Sequence, residues 1–352
     1  MKIQISTPER RKIVEDAIAK FLDNQKMSKR GLASYLVTNH PEHFNNIEHA
    51  RTAIRYQTGT MGDRARKIAT SNYAKSFKDN TGFVWEMPRS HIKEWSPYDL
   101  PAGDWLVLSD LHVPFHVPEA INIALDYGEA NGMTDILING DFWDGYGISR
   151  FDKQLNRVEG GVKTELIEAR RLLGYLRKRY PKSRIIYKLG NHDEWWSAYL
   201  WRKAPEIADM PQMELARILT DAVSPSKAYP QGLSAVEGIE FIDEQRIIRA
   251  GKLGILHGHE LGRGVSNPVN FARTLALRTL ESCLAGHVHQ TSHQASVSMF
   301  DSQMSCWSTG CLCDLHPPYA RINKMNHGFA FLKFDGKNFE VDNKRIIKGK
   351  VF

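Results

Sequence analysis

The chain has 352 residues, of which 42% are hydrophobic and 25% are charged, and its formal net charge is +7. This length and composition allow a sizeable buried core, with room for one large domain and a small one. Neither a signal-peptide pattern nor a bilayer-length apolar run occurs, and the four cysteines are unevenly spaced, so we expect a cytoplasmic protein with no membrane partner.

The excess positive charge is confined to the first quarter of the chain. Residues 1–80 hold 15 Lys and Arg against 8 Asp and Glu, whereas the remainder holds 32 of each. Such a shift in composition predicts a separate N-terminal module. We place it at residues 1–60, followed by a polar linker over residues 61–100 and a main domain over residues 101–352.

Three short helices are predicted within the N-terminal module. The first begins at Pro8, a residue that favours the first helical position. The second is capped by Ser28, and the third is capped by Asn45 or Asn46 and ends before Gly59. The predicted structure is a small all-α module that resembles a helix-turn-helix bundle.

The basic surface of this module suggests a nucleic-acid interface. Arg51 and Arg55 lie one helical turn apart and therefore on one face, where they would contact DNA or RNA phosphates. The alternative is a module that binds a protein partner and whose charges are simply solvated.

A second pattern recurs from Trp105 onward: an apolar run of strand length ends, and polar side chains of the kind that bind metals follow at once. Helical stretches separate several of these runs, which predicts an α/β core with buried, largely parallel strands. Because ligands collect at the carboxyl ends of such strands, five strand ends could converge on one site. The runs and the residues after them are WLVLS with Asp110 and His112, DILIN with Asp141 and Asp144, RIIYKL with Asn191, His192 and Asp193, LGIL with His257 and His259, and SCLA with His287 and His289.

The order of these motifs, SDLH, GDFWD, GNHD, HGH and GHVH, resembles the calcineurin-like metallophosphoesterase superfamily over roughly residues 103–335. The wording of GDFWDGYGISRF and GCLCDLHPPYARIN is similar to phage-borne members. The resemblance implies a layered β-sandwich flanked by helices and a hydrolase that uses two divalent metal ions. Manganese is the ion we expect, with iron, zinc or nickel as alternatives.

The resemblance also implies a set of metal ligands. Asp110, His112 and His289 would hold one ion, while Asn191, His257 and His287 would hold the other. Asp141 would bridge both ions. Two such ions bind phosphate oxygens, generate hydroxide near neutral pH and hold it in line with the leaving group.

The resemblance assigns two further residues to proton transfer. His192 would be the general acid for the leaving oxygen, and the carboxylate of Asp144 would orient His192 and keep it protonated. Gly190 would let the chain turn without a Cβ in the site. Asp193 is interpreted as a turn residue, and His259 is the competitor of His257 for the metal.

The substrate is predicted less directly. Gly145 after Asp144, and Asp193 after His192, depart from the pattern of the protein Ser/Thr phosphatase branch. Together with the basic module, these departures favour a nucleic-acid substrate, cleaved as a phosphodiester or as an end phosphate. The alternative is a small-molecule or protein substrate.

Two groups of residues have a less specific interpretation. The aromatic run at Trp195, Trp196, Tyr199 and Trp201 favours core packing over base stacking. Cys306, Cys311 and Cys313 with His316 do not match a common zinc pattern, so buried thiols near the metal site are the favoured reading.

Overall fold

The structure is a computed structural model, and two compact units divide it at residues 93 and 94. Most of the predicted linker lies outside the described residues; within it, strands β1 (Ser76–Lys78) and β2 (Val84–Glu86) pair antiparallel. In the part of the chain that the structure describes, every helix is too short or too polar to cross a membrane. The described residues are 8–22, 27–58, 76–78, 80–82, 84–86, 96–150, 161–242, 246–262, 270–299, 303–318, 320 and 322–352.

The N-terminal unit contains the three predicted helices. These are α1 (Pro8–Ala17), which continues as a π-helical turn over Ile18–Leu22, α2 (Lys29–Asn39) and α3 (Ile47–Thr58). Their apolar faces form a common core, which confirms a helical N-terminal region. The fully buried members of this core include Val14, Leu32, Leu36, Phe44 and Ile54.

Side-chain caps begin two of these helices. The hydroxyl of Ser28 accepts a hydrogen bond from the backbone N–H of Gly31 at 3.1 Å. Of the two asparagines considered for α3, Asn46 provides the cap, since its Oδ1 accepts from the N–H of His49 at 2.8 Å. Helix α3 ends at Thr58, and the residue predicted to stop it lies outside the described part of the chain.

In the second unit, the described strands form two sheets. The seven-stranded sheet has a parallel centre of four strands, β4 to β7, extended by the antiparallel strands β13 to β15. Its strands are β4 (Gly103–Leu108), β5 (Asp135–Asn139), β6 (Ile185–Lys188), β7 (Ile239–Ile242), β13 (His327–Phe334), β14 (Phe339–Ile347) and β15 (Lys350–Val351).

The six-stranded sheet has parallel pairs at β9–β10 and β10–β12, and β11 lies at its edge. Its strands are β3 (Tyr98–Asp99), β8 (Ile248–Ala250), β9 (Leu253–Leu256), β10 (Ser282–Ala285), β11 (Ser292–Val297) and β12 (Gln303–Ser308). The five strands predicted to end in ligands are therefore all present, three in one sheet and two in the other.

The two sheets pack face to face between outer helices. Trp105 and Val107 of β4 point into a core shared with the second sheet, whereas Leu106 and Leu108 point into the core beneath the helices. Both faces of β4 are thus buried, as a continuous apolar run predicts. The observed layers confirm the predicted α/β sandwich flanked by helices. The helices are α4 (Pro118–Ala130), α5 (Gly161–Arg179), α6 (Asn191–Lys203), α7 (Leu215–Thr220) and α8 (Phe271–Thr279).

Candidate metal centre

The loops that follow five strands bring six of the seven predicted metal ligands together, and the seventh, Asn191, directly follows Gly190, which packs against Asp141. Strands β4, β5 and β6 lead into Asp110, Asp141 and Asn191, and β9 and β10 lead into the histidines of the second sheet. Among the described residues, four groups of side chains could hold a metal ion, and each includes predicted ligands. They are Asp110, His112 and Asp141; Asp141, His257 and His287; His112, His289 and Cys313; and His112, Asp144 and His192.

The backbone at this cluster is strained. Non-glycine residues avoid positive φ because the Cβ then clashes with the following carbonyl. Seven non-glycine residues in the described segments nevertheless have positive φ, and five of them are predicted ligands. Strain of this kind concentrates at functional sites. The five are Asp110 (φ 56°), His112 (47°), Asp141 (50°), His287 (71°) and His289 (57°).

Two buried carboxylates face the imidazoles. Oδ2 of Asp141 lies 3.2 Å from Nε2 of His257 and 3.8 Å from Nε2 of His112. Oδ1 of Asp110 lies 3.2 Å from Nε2 of His289. Nε2 of His112 and Nε2 of His289 are themselves only 3.1 Å apart, so donor atoms from both sheets point at a common space.

Three predicted ligand atoms are buried without a hydrogen-bond partner among the described residues: Oδ1 of Asn191, Nε2 of His257 and Nδ1 of His287. Nε2 of His257 lies at ion-pair distance from Oδ2 of Asp141, 3.2 Å away. Buried polar atoms are almost always paired, so an orphaned set in one cluster requires an explanation. One amide oxygen and two imidazole nitrogens are ordinary ligands of divalent transition metals, and the residues therefore fit such an ion.

The charges of the cluster are strongly coupled. Burial raises the pKa of Asp141, but the facing imidazoles of His257 and His192 outweigh it and hold that pKa well below its usual range. Burial lowers the pKa of His257, yet the carboxylates of Asp141 and Asp110 raise it to about 10. Protons on the imidazoles thus balance the carboxylates. A metal ion would displace these protons, since imidazole must be neutral to bind it.

In three of the imidazoles, Nδ1 has a contact of its own while Nε2 faces the carboxylates. Nδ1 of His257 donates to the carbonyl of Asn139 at 2.9 Å, and Nδ1 of His112 donates to Oδ1 of Asp144 at 3.1 Å. Nδ1 of His289 lies 4.0 Å from the sulfur of Cys313. Partners of this kind fix the tautomer of a ligand and aim its free nitrogen at the metal.

Asp144 contacts His192 differently from what the sequence predicts. Nδ1 of His192 lies 2.6 Å from the backbone carbonyl of Asp144, whereas the carboxylate is 3.8 Å away and is bonded to His112. The carboxylate therefore orients a predicted metal ligand, and the main chain orients His192. Burial lowers the pKa of His192 to about 4, so the carboxylate does not keep the ring protonated near neutral pH.

The segment GNHD forms the N-terminus of helix α6. Gly190 precedes α6, and a Cβ at this position would collide with Oδ1 and the backbone nitrogen of Asp141. Asp193 caps the helix by accepting from the N–H of Gly190 at 2.9 Å, and it also accepts from the hydroxyl of Tyr187 at 2.7 Å. It is thus a turn residue and not part of the metal-ligand groups found among the described residues.

His259 belongs to none of the candidate metal groups among the described residues. Its Nε2 lies 3.2 Å from Oε1 of Glu194, whereas His257 is fully buried against Asp141. The structure therefore places His257, the preferred candidate of the two, beside Asp141.

A buried ion pair beside the cluster was not predicted. Nζ of Lys188, at the end of β6, lies 2.7 Å from Oε1 of Glu260. Glu260 also accepts from the backbone N–H groups of His257 and Gly258, at 3.0 and 2.6 Å. The pair ties the two sheets together behind the ligand His257. In the sequence, the sign of this ion pair is a charged residue, Lys188, at the end of a buried strand.

The four cysteines are buried thiols. All of them lie in described segments, and they form no disulfide. Cys313 alone of these thiols joins a candidate metal group among the described residues, and no group contains Cys306 or His316.

In the N-terminal unit, Arg51 and Arg55 lie 2.9 and 3.7 Å from the carboxylate of Glu48.

Comparisons with known proteins find similarity only to solved structures. No protein-family model and no curated protein matches the chain. Vacuolar protein sorting 29 from Cryptosporidium parvum is 12% identical, with a TM-score of 0.35, and covers 72% of this chain and 96% of its own. YfcE, a phosphoesterase from E. coli, is 14% identical with a TM-score of 0.30, over 65% of this chain and 87% of its own. A predicted phosphoesterase from Streptococcus pneumoniae is 15% identical with a TM-score of 0.28, over 72% and 98%.

Proposed function

We propose that the chain is a phosphoester hydrolase that works with two divalent metal ions. The observation that supports this most is the set of orphaned ligand atoms, on Asn191, His257 and His287, around the buried carboxylate of Asp141. Strained backbone at five of the seven ligand positions supports it independently.

Two groups of residues would hold the ions. Asp110, His112 and His289 form the first group, and Asn191, His257 and His287 form the second. Asp141 lies between them and would belong to both. When bound, two such ions neutralise phosphate oxygens and lower the pKa of water, which makes hydrolysis feasible near neutral pH. Manganese remains the expected ion.

His192 would supply the proton for the leaving oxygen. Its Nδ1 is held by the carbonyl of Asp144, which leaves Nε2 facing the cluster, 3.9 Å from Oδ2 of Asp141. Donation requires a proton on Nε2, which burial disfavours. Negative phosphate oxygens beside Nε2 would raise that pKa, so the substrate itself would promote the protonated form.

Hydrolysis assays with and without Mn²⁺ test the proposal. The substrates are bis-p-nitrophenyl phosphate, p-nitrophenyl phosphate, and single- and double-stranded DNA. We expect Mn²⁺-dependent hydrolysis that chelators abolish, and we expect Asp141→Asn to lose both ions and all activity. Full activity and two retained ions in Asp141→Asn would rule out the assigned centre. Asp126→Asn, an exposed change on α4, is the matched control.

Nucleic acid is the substrate class that we propose. The support is the surplus of positive charge in residues 1–80, together with a compact three-helix unit in that region. Such a unit would bring DNA or RNA to the metal centre. A preference for DNA over nitrophenyl esters in the assays above would agree with this role.

A protein partner for the N-terminal unit is the second candidate, and the surface of α3 favours it. Arg51 and Arg55 share their charge with Glu48, which weakens them as phosphate ligands. Ile47 and Tyr56 on the same helix are 46% and 45% exposed, and exposed apolar side chains suit a protein interface. The substrate would then be a small molecule or a protein.

A further inference from the structure

The indole of Trp195 stacks on the imidazole of His192. The ring centroids are 3.9 Å apart and the planes are inclined by 29°. Both residues lie in the first turns of α6, three positions apart, so they share one face of the helix. Trp195 is half-buried and packs against the core beneath the first sheet, which gives the indole a fixed position.

The other contacts of His192 are not sufficient by themselves to fix the orientation of its ring. The hydrogen bond from Nδ1 to the carbonyl of Asp144 fixes one atom and leaves rotation about that contact. The ring of His112 meets His192 edge-on, at 4.5 Å between centroids and 86° between planes. Trp195 covers a face of the ring and thereby restricts the rotation that the other two contacts allow.

We propose that Trp195 is a positioning residue that aims Nε2 of His192 at the leaving oxygen of the substrate. This inference rests on the proposed function, because it assumes that His192 is the general acid. Displacements of about 1 Å in a catalytic group can cost about 10²-fold in rate, so a ring held on one face is functionally significant.

The three indoles of α6 have distinct environments, which supplies a control. Trp196 donates its N–H to the carbonyl of Met213 and meets Trp143 edge-on, so it belongs to the core. Trp201 is 56% exposed. Trp201→Ala therefore removes an indole from the same helix without touching His192.

Leaving-group dependence separates positioning from general stability. We expect Trp195→Ala to lower kcat on an alkyl phosphate ester by roughly 10- to 10²-fold, less than the full contribution of acid catalysis, which is about 10²–10⁴-fold. Hydrolysis of the matching p-nitrophenyl ester should change little, because nitrophenolate leaves without a proton. Trp195→Phe should restore most of the alkyl-ester activity by supplying another ring face. Metal content and KM should be unchanged, and Trp201→Ala should match the parent.

A double variant shows whether Trp195 acts through His192. In a His192→Ala background, Trp195→Ala should cause no further loss on the alkyl ester. An additional tenfold loss, or equal losses on both esters in the single variant, would overturn the positioning role. If His192→Ala itself lost both esters equally, the acid role in the proposed function would fail instead.

The ring current of the indole gives a readout that needs no activity. In NMR spectra, the carbon-bound ring protons of His192 should lie upfield in the parent and move downfield in Trp195→Ala. Trp195→Phe should retain part of the upfield shift, and Trp201→Ala should retain all of it. Unshifted His192 protons in the parent would remove the stacking on which the proposal depends.

Discussion

The carboxylate of Asp144 is hydrogen-bonded to His112, with 3.1 Å between Oδ1 and Nδ1. Asp144 therefore stabilises one orientation of a predicted metal ligand. We expect Asp144→Asn to weaken metal binding by about 10- to 100-fold, the usual effect of losing such a partner. Calorimetric titration with Mn²⁺ measures it. If metal affinity were unchanged and activity were lost only on esters with poor leaving groups, the carboxylate of Asp144 would act on His192 and not on His112.

Gly190→Ala should damage the centre through a steric clash. The added Cβ would collide with the carboxylate and backbone of Asp141, so we expect a loss of about 1–3 kcal/mol in unfolding free energy and weaker metal binding. Urea denaturation and metal analysis measure the two effects.

The same substitution at Gly174 is the control. This residue lies within α5, where a Cβ would meet only a methyl group of Val236, at 3.9 Å. Gly174→Ala should therefore stabilise the protein by about 0.5–1 kcal/mol through helix propensity. Equal effects at both positions would contradict the steric argument.

Ion binding should stabilise the fold, because the ligands come from both sheets. Mn²⁺ should raise Tm and chelation should lower it, with a stabilisation of roughly 2.7 kcal/mol when the free ion is at about 100 times its Kd. Thermal unfolding followed by circular dichroism measures this shift. The Tm of Asp141→Asn should change little when Mn²⁺ is added. If Mn²⁺ also left the Tm of the parent protein unchanged, the proposed metal centre would be contradicted.

Glu260→Gln should destabilise the protein in a pH-dependent manner. Burial raises the pKa of Glu260, but the Lys188 ammonium outweighs it and holds that pKa well below its usual range. A lowered pKa contributes stability above the unfolded-state value of about 4.3, and this contribution is lost as the pH falls. We expect a loss of about 3 kcal/mol near pH 7, because Lys188 is left buried without its counter-charge.

The difference between Glu260→Gln and the parent should shrink as the pH falls below about 5, toward the lowered pKa. Denaturant titrations across this range measure it. Glu214→Gln, at an exposed ion pair with Arg217, should remain within about 0.5 kcal/mol of the parent throughout. A pH-independent difference for Glu260→Gln would show that the ion pair contributes packing and not charge.

The nucleic-acid role of the N-terminal unit predicts a salt effect. If Arg51 and Arg55 each neutralise one DNA phosphate, the double Arg→Ala variant should bind DNA more weakly. The slope of log affinity against log salt should become shallower by about 0.9 per lost contact. Fluorescence anisotropy at several salt concentrations measures the slope, with Arg171→Ala on α5 as control. An unchanged slope would favour a protein partner for this unit.

Local sequence patterns predicted the strands and the helix caps because these depend on neighbouring residues. The run DILIN has three apolar residues at its centre, Ile136 to Ile138, and forms the buried strand β5. Closeness to a strand end favours His257 over His259, and the structure places His257 beside Asp141.

Contacts between distant segments were less predictable. Asp144 is separated from His112 by 32 residues, and only the arrangement of two loops decides which imidazole its carboxylate meets. The pairing of Lys188 with Glu260 depends on the contact between two sheets. Local spacing predicts which residues reach an edge of a sheet, but not how they are oriented there.

The left-handed backbone at five predicted ligand positions has an evolutionary consequence. At such positions glycine would relieve a strain of about 1–3 kcal/mol, whereas an aspartate or histidine retains it. Relief of strain alone would therefore favour glycine at Asp110, Asp141 and His287. Their presence despite this strain is expected if selection acts on metal chemistry at these positions. A descendant released from that selection would be expected to lose these side chains early.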